Sequence, residues 1–155
     1  MKNILTLALF AAAIALFSCA GNQEGKTGMT SAQVSEQDAL FQSVMVVHDS
    51  VMPKMGDLAR LAQEIRKLIP NDATDDETKE RAYTIVQKLN IAEENMMGWM
   101  NQIKQPAALR DTSSHEAIMQ YFQAEKSKID QVGKDINGSM NEAIQFLNGF
   151  KGAEE

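Results

Sequence analysis

Apolar side chains recur along this chain at helical spacing. Phe41, Val44, His48, Val51, Met55, Leu58, Ala62, Ile65 and Ile69 follow one another at intervals alternating between three and four, and His48 is the single polar member. That spacing keeps one face of a helix turned to a partner, as in a coiled-coil seam. Ser35-Glu36-Gln37-Asp38 supplies a helix start, and Pro70-Asn71-Asp72 a stop. Pro53 lies inside the run. It removes the hydrogen bond to the Asp49 carbonyl and predicts a kink, on the side of the helix away from the seam.

Two further runs have the same rhythm. Ala82, Ile85, Leu89, Ala92, Met96, Trp99 and Ile103 follow the acidic start Thr74-Asp75-Asp76-Glu77, and Pro106 closes them. Ile118, Phe122, Glu125, Ile129, Val132, Ile136, Ser139 or Met140, Ala143, Leu147 and Phe150 follow Ser113-Ser114-His115-Glu116, with Asn148-Gly149 as the stop. Gly133 and Gly138 weaken this last helix by up to ~1 kcal/mol each relative to alanine. No alternation of strand type competes. Short connections make neighbouring helices antiparallel. The expected fold is all-α: an up-down-up, coiled-coil-like three-helix bundle over residues 34–152, with helices at about 34–69, 75–104 and 113–149.

The start of the chain has another pattern. Lys2 precedes Ile4 to Phe17, an apolar stretch of 14 residues broken only by Thr6. This is the length of a secretory h-region and short of the ~20 residues a membrane span needs. Leu16-Phe17-Ser18-Cys19 resembles the bacterial lipobox, with Phe17 bulkier than the usual residue at its place. The resemblance implies cleavage before Cys19 and lipid on its thiol. Residues 1–18 are then a lipoprotein signal peptide. Residues 19–33 are the lipidated cysteine and a flexible tether, because Ala20 to Gln33 is rich in Gly, Ser, Thr and Asn and has no periodicity.

Composition narrows the function. The chain has 155 residues and a formal net charge of −6, so a basic stripe for nucleic acid is missing. Aromatics are 6%, too few for a sugar or base platform. Cys19 is the single cysteine, so no disulfide forms within the chain. No Gly-rich phosphate loop, nucleophile motif or paired-histidine metal motif appears, and the expectation is a protein that is not an enzyme. The acidic run 72–80 lacks the spacing and central glycine of a calcium loop.

Ten methionines are the anomaly. Met45, His48, Met52 and Met55 share a helix face. If the helices turn near residues 72 and 108, these residues join Met96, Met100, His115 and Met119 in one end layer holding both histidines. Thioether and imidazole suit Cu(I) and need no thiolate, which an oxidising compartment would destroy. Met/His ligation of haem in a bundle is a further reading. The plain alternative is that methionine fills irregular core layers and His48 is a polar seam residue.

The stretches Met45-Val-Val-His48-Asp49-Ser-Val-Met52-Pro53-Lys54-Met55-Gly56 and Ala92-Glu-Glu-Asn-Met96-Met97-Gly-Trp99-Met100 resemble small helical lipoproteins of Bacteroidota, some labelled viral A-type inclusion protein. The resemblance covers residues 40–105 best, implies a helical lipoprotein and brings no activity with it. Lipoproteins of that group displayed at the surface often carry acids just after the cysteine. Here only Glu24 is near, so the expected place is the bacterial envelope, lipid-anchored to the outer membrane and facing the periplasm. The expected function is a non-catalytic helical binding or structural module, able to self-associate. The alternative is a copper-sequestering or copper-passing lipoprotein.

Overall fold

The structure is a computed structural model and describes residues 28–69 and 75–151. Its elements in chain order are α1 (Ser31–Val51), a 3-10 turn (Met52–Lys54), α2 (Met55–Leu68), α3 (Asp76–Gln102), α4 (Pro106–Arg110) and α5 (His115–Lys151). The described residues contain no strand, and the fold is all-α with helix-bundle packing.

The first run of seam residues is interrupted where Pro53 falls. Val51 ends α1, the Met55 amide bonds to the Met52 carbonyl in 3-10 fashion, and α2 continues in nearly the same line of buried positions. Pro53 itself is exposed, so its missing N–H costs the core nothing. Val44 and Val51 lie before the break, and Leu58, Ala62 and Ile65 after it. All are at most 2% exposed. Leu61, Val86 and Phe146 are buried beside the three seams, which widens each apolar stripe from a coiled-coil seam to the face of a globular helix.

Contacts between helices give their directions. Trp99 meets Glu125, Lys88 meets Glu142 and Arg81 lies over Phe146, so numbers fall along α5 as they rise along α3. Gln37 meets His115, Phe41 meets Phe122 and Lys54 meets Asn137, so numbers rise together along the first helical stretch and α5.

Several helix ends differ from those expected. The first helix begins at Ser31, inside the stretch read as tether. Thr30 Oγ1 accepts from the Gln33 amide at 3.2 Å and Gln33 Oε1 accepts from the Thr30 amide at 2.9 Å, a reciprocal capping box. Ser35 to Asp38 therefore lies within the helix and does not start it. Gly28 precedes the cap at φ +70, in the left-handed region that favours glycine. Asp75 caps α3 by accepting from the Thr78 amide at 2.9 Å, and Thr74 lies outside the described residues. Ser114, not Ser113, caps α5 through the Ala117 amide at 3.3 Å. Asn148-Gly149 does not stop α5, which runs on to Lys151.

The larger surprise is α4 in the connection between α3 and α5. Pro106, expected only to terminate a helix, opens this one, where its missing N–H is no loss. Met29, Leu109, Ile118 and Phe122 form a second buried cluster, flanked by Val34, Leu40, Phe41, Ile103 and Tyr121. Thus α4 and the residues before α1 cover the end of the bundle that α3, finishing at Gln102, does not reach. Tyr121 closes the join: its hydroxyl accepts from the Lys104 amide at 3.0 Å.

Candidate functional site

The eight candidate metal-binding residues do not form one layer. His48 lies beside Trp99, with ring centroids 5.8 Å apart and planes tilted by 37°. Met45, Met52, Met55 and Met100 are half-buried against the same main core, and Met96 is fully buried within it. His115 is elsewhere. It packs at the level of Gln37, three turns from His48, or about 16 Å at 1.5 Å per residue. Met119, one turn further along α5, goes with it. The physical reason is α4. A connection that folds into its own helix lets α5 begin beyond the end of α3, so Trp99 meets Glu125 and not the His115 to Met119 stretch.

The His48 imidazole is fixed from its own helix. Its Nδ1 is 2.8 Å from Asp49 Oδ1, and the carboxylate, an acceptor, puts the ring proton on Nδ1. Trp99 is fixed from α5: its indole N–H donates to Glu125 Oε2 at 2.9 Å. Glu125 is 4% exposed, and Lys128 reaches its other oxygen at 2.7 Å. That hydrogen bond to Glu125, followed by the charge attraction, raises the Lys128 pKa above the ordinary lysine value. Glu125 is a seam position, and a carboxylate there demands a donor. The lone tryptophan is the sequence signal for this pair.

A second polar assembly occupies the far end. Gln37 is fully buried. Arg110 Nε donates to its Oε1 at 2.7 Å, and its Nε2 lies 3.3 Å from Met29 Sδ and 3.2 Å from His115 Nδ1. A guanidinium only donates, which orients the amide and makes His115 Nδ1 an acceptor. The remaining ring nitrogen is 3.3 Å from Glu36 Oε2. Arg110 also pairs with Asp38 and donates to the Val34 carbonyl at 3.2 Å. Among the described residues no buried side-chain polar atom is without a partner. Gln37 lies four residues before Phe41, so the three-four rhythm extends back to it and is the signal for its burial, whereas nothing in the sequence marks Arg110.

Among the described residues no three His, Cys, Asp or Glu side chains are grouped to hold a metal ion, and no helix is long and apolar enough to cross a membrane. Cys19, the expected lipidation site, lies outside the described residues, as does the apolar stretch before it. Tyr83, Ile91 and Met97 leave large apolar surface on α3, at 47–60% exposure, and Tyr83 lines a shallow concavity with Asp76, Lys79, Glu80, Thr84 and Gln87. Comparison with protein-family models, with curated proteins and with solved structures gives no match.

Proposed function

We propose that this chain is an envelope lipoprotein of the Bacteroidota kind, held to a membrane by lipid on Cys19 and acting through its helical surfaces without catalysis. The observation that carries the reading is the lone cysteine behind a 14-residue apolar stretch, only twelve positions before the helical fold starts at Ser31. Even fully extended, that interval spans at most about 43 Å at 3.6 Å per residue, so the bundle works close to its membrane. We read the three long helical stretches as an up-down-up bundle with α4 as an end cap. The apolar side chains left on α3 are its binding face. An outer-membrane position facing the periplasm belongs to the same reading. Two acyl chains or more would anchor it stably where one would not.

Mass spectrometry of the membrane-associated protein tests this. The expected N-terminus is an acylated Cys19, and Cys19→Ser is expected to leave a precursor retaining Met1. Recovery of membrane-bound wild type with an intact Met1 and unmodified Cys19 overturns the proposal.

A further inference from the structure

The pairing of His48 with Trp99 has a chemistry of its own. Asp49 holds the imidazole through Nδ1, which leaves the Nε2 lone pair as the ligating position. Carboxylate-to-imidazole hydrogen bonds of this kind orient histidines that bind metals. The indole opposite is equally fixed, because Trp99 donates to Glu125, which Lys128 holds in turn. The indole ring lies 5.8 Å from the imidazole, centroid to centroid, with the two planes 37° apart. The His48 side chain keeps 14% exposure, so the position is nearly dry but reachable.

The donors around this pair are soft. Met45 and Met52 flank His48 at one turn before and one turn after, and both are half-buried against the main core. Met96 and Met100 flank Trp99 on α3. Because His48 meets Trp99, while Arg66 further on meets Asn90, Met52 falls at the level of Met96. The 3-10 turn begins at Met52, and a 3-10 stretch within a longer helix often marks a functional hinge. Among the described residues no three His, Cys, Asp or Glu side chains are grouped to favour a hard or borderline ion.

We propose that His48 Nε2, with the thioethers of Met45 and Met52, binds one Cu(I) ion against the face of Trp99, and that Met96 closes the site from α3. Thioether and imidazole donors suit Cu(I). An aromatic face attracts a cation that has lost its water. His115 and Met119, which register puts at the far end, take no part. Asp49 is a positioning residue and does not touch the ion.

The test uses the full chain in detergent with Cys19→Ser, so that the lone thiol does not compete. It is titrated anaerobically with Cu(I) against bicinchoninate. Trp99 is the single tryptophan, so quenching of its emission reports occupancy at this position alone. The expected result is withdrawal of one equivalent with quenching. His48→Ala or the pair Met45→Leu and Met52→Leu abolishes both, and His115→Ala changes neither. Asp49→Asn is expected to weaken binding about 10–100-fold, as loss of an outer partner does. The leucine variants nearly keep side-chain volume, so loss of binding in them with unchanged helicity assigns the sulfur. Failure of the Cys19→Ser chain, with His48, Met45 and Met52 intact, to withdraw Cu(I) overturns the site, and so does equal loss in His115→Ala and His48→Ala.

Discussion

Arg110 Nε donates to the buried Oε1 of Gln37 at 2.7 Å, across 73 residues of chain. This contact joins α4 to α1 and ties the end cap to the bundle. Arg110→Ala leaves the carbonyl of the fully buried Gln37 without its donor. The expected cost is about 1–3 kcal/mol, read by chemical unfolding. Gln37→Ala is expected to cost a similar amount. The double change should cost less than the two together, because each single already breaks the bond the two side chains share; the coupling expected is about 0.5–3 kcal/mol. Strict additivity would show that the two side chains act independently.

Trp99 and Glu125 make the corresponding test in the middle of the bundle. Glu125→Ala strands a buried indole N–H and is expected to destabilise by about 1–3 kcal/mol. Glu125→Gln keeps an acceptor within reach and should lose less. If both variants unfold alike, the hydrogen bond is not what stabilises this layer.

Core and helix-propensity effects should have opposite signs at chosen positions. Ile65 and Leu89 are 0% exposed, and truncating either to alanine should cost ~2–5 kcal/mol. Gly138 lies mid-α5 with open space where a Cβ would sit. Gly138→Ala should therefore stabilise by up to ~1 kcal/mol, the propensity difference. Gly133 is tighter: its Cβ would meet Val47 at 3.4 Å, an ordinary contact, so Gly133→Ala should be tolerated too. Thermal unfolding of the four variants separates the two groups.

The pH profile follows from three groups. Hydrogen bonds from the Thr78 backbone, then from its side chain, lower the Asp75 pKa at the start of α3. Its own backbone amide, then Ser114, lowers that of Glu116 in α5. Each contribution is present above the unfolded carboxylate value of about 4 and fades as pH falls through the lower folded value. Lys128 has the opposite sign. Its contribution is present below the unfolded value of about 10.4 and is lost as pH rises through the higher folded one. Asp75→Asn keeps a good cap but no charge. Its melting temperature should converge on that of wild type as pH falls from 5 to below the carboxylate range, and a constant gap would contradict the assignment.

Which side of each helix turns inward is a local property, and spacing along the chain determines it. Hence Ala82, Ile85, Leu89, Ala92, Met96 and Trp99 are all buried as the three-four rhythm requires, and Pro53 is exposed opposite its seam. How far one helix slides along another is not local. It depends on what the connection does, and residues 103–114 fold part of themselves into α4 because Leu109 finds Ile118 and Phe122 to pack on. That packing moves His115 to the level of Gln37, away from His48, and dissolves the eight-residue layer that spacing alone suggests. Gln37 continues the first seam one step back from Phe41, but its polar amide needs partners that spacing does not supply. It is buried because an arginine 73 residues away, a methionine before the helix and a histidine on α5 together satisfy its amide, and only the assembled chain brings those three groups to one place.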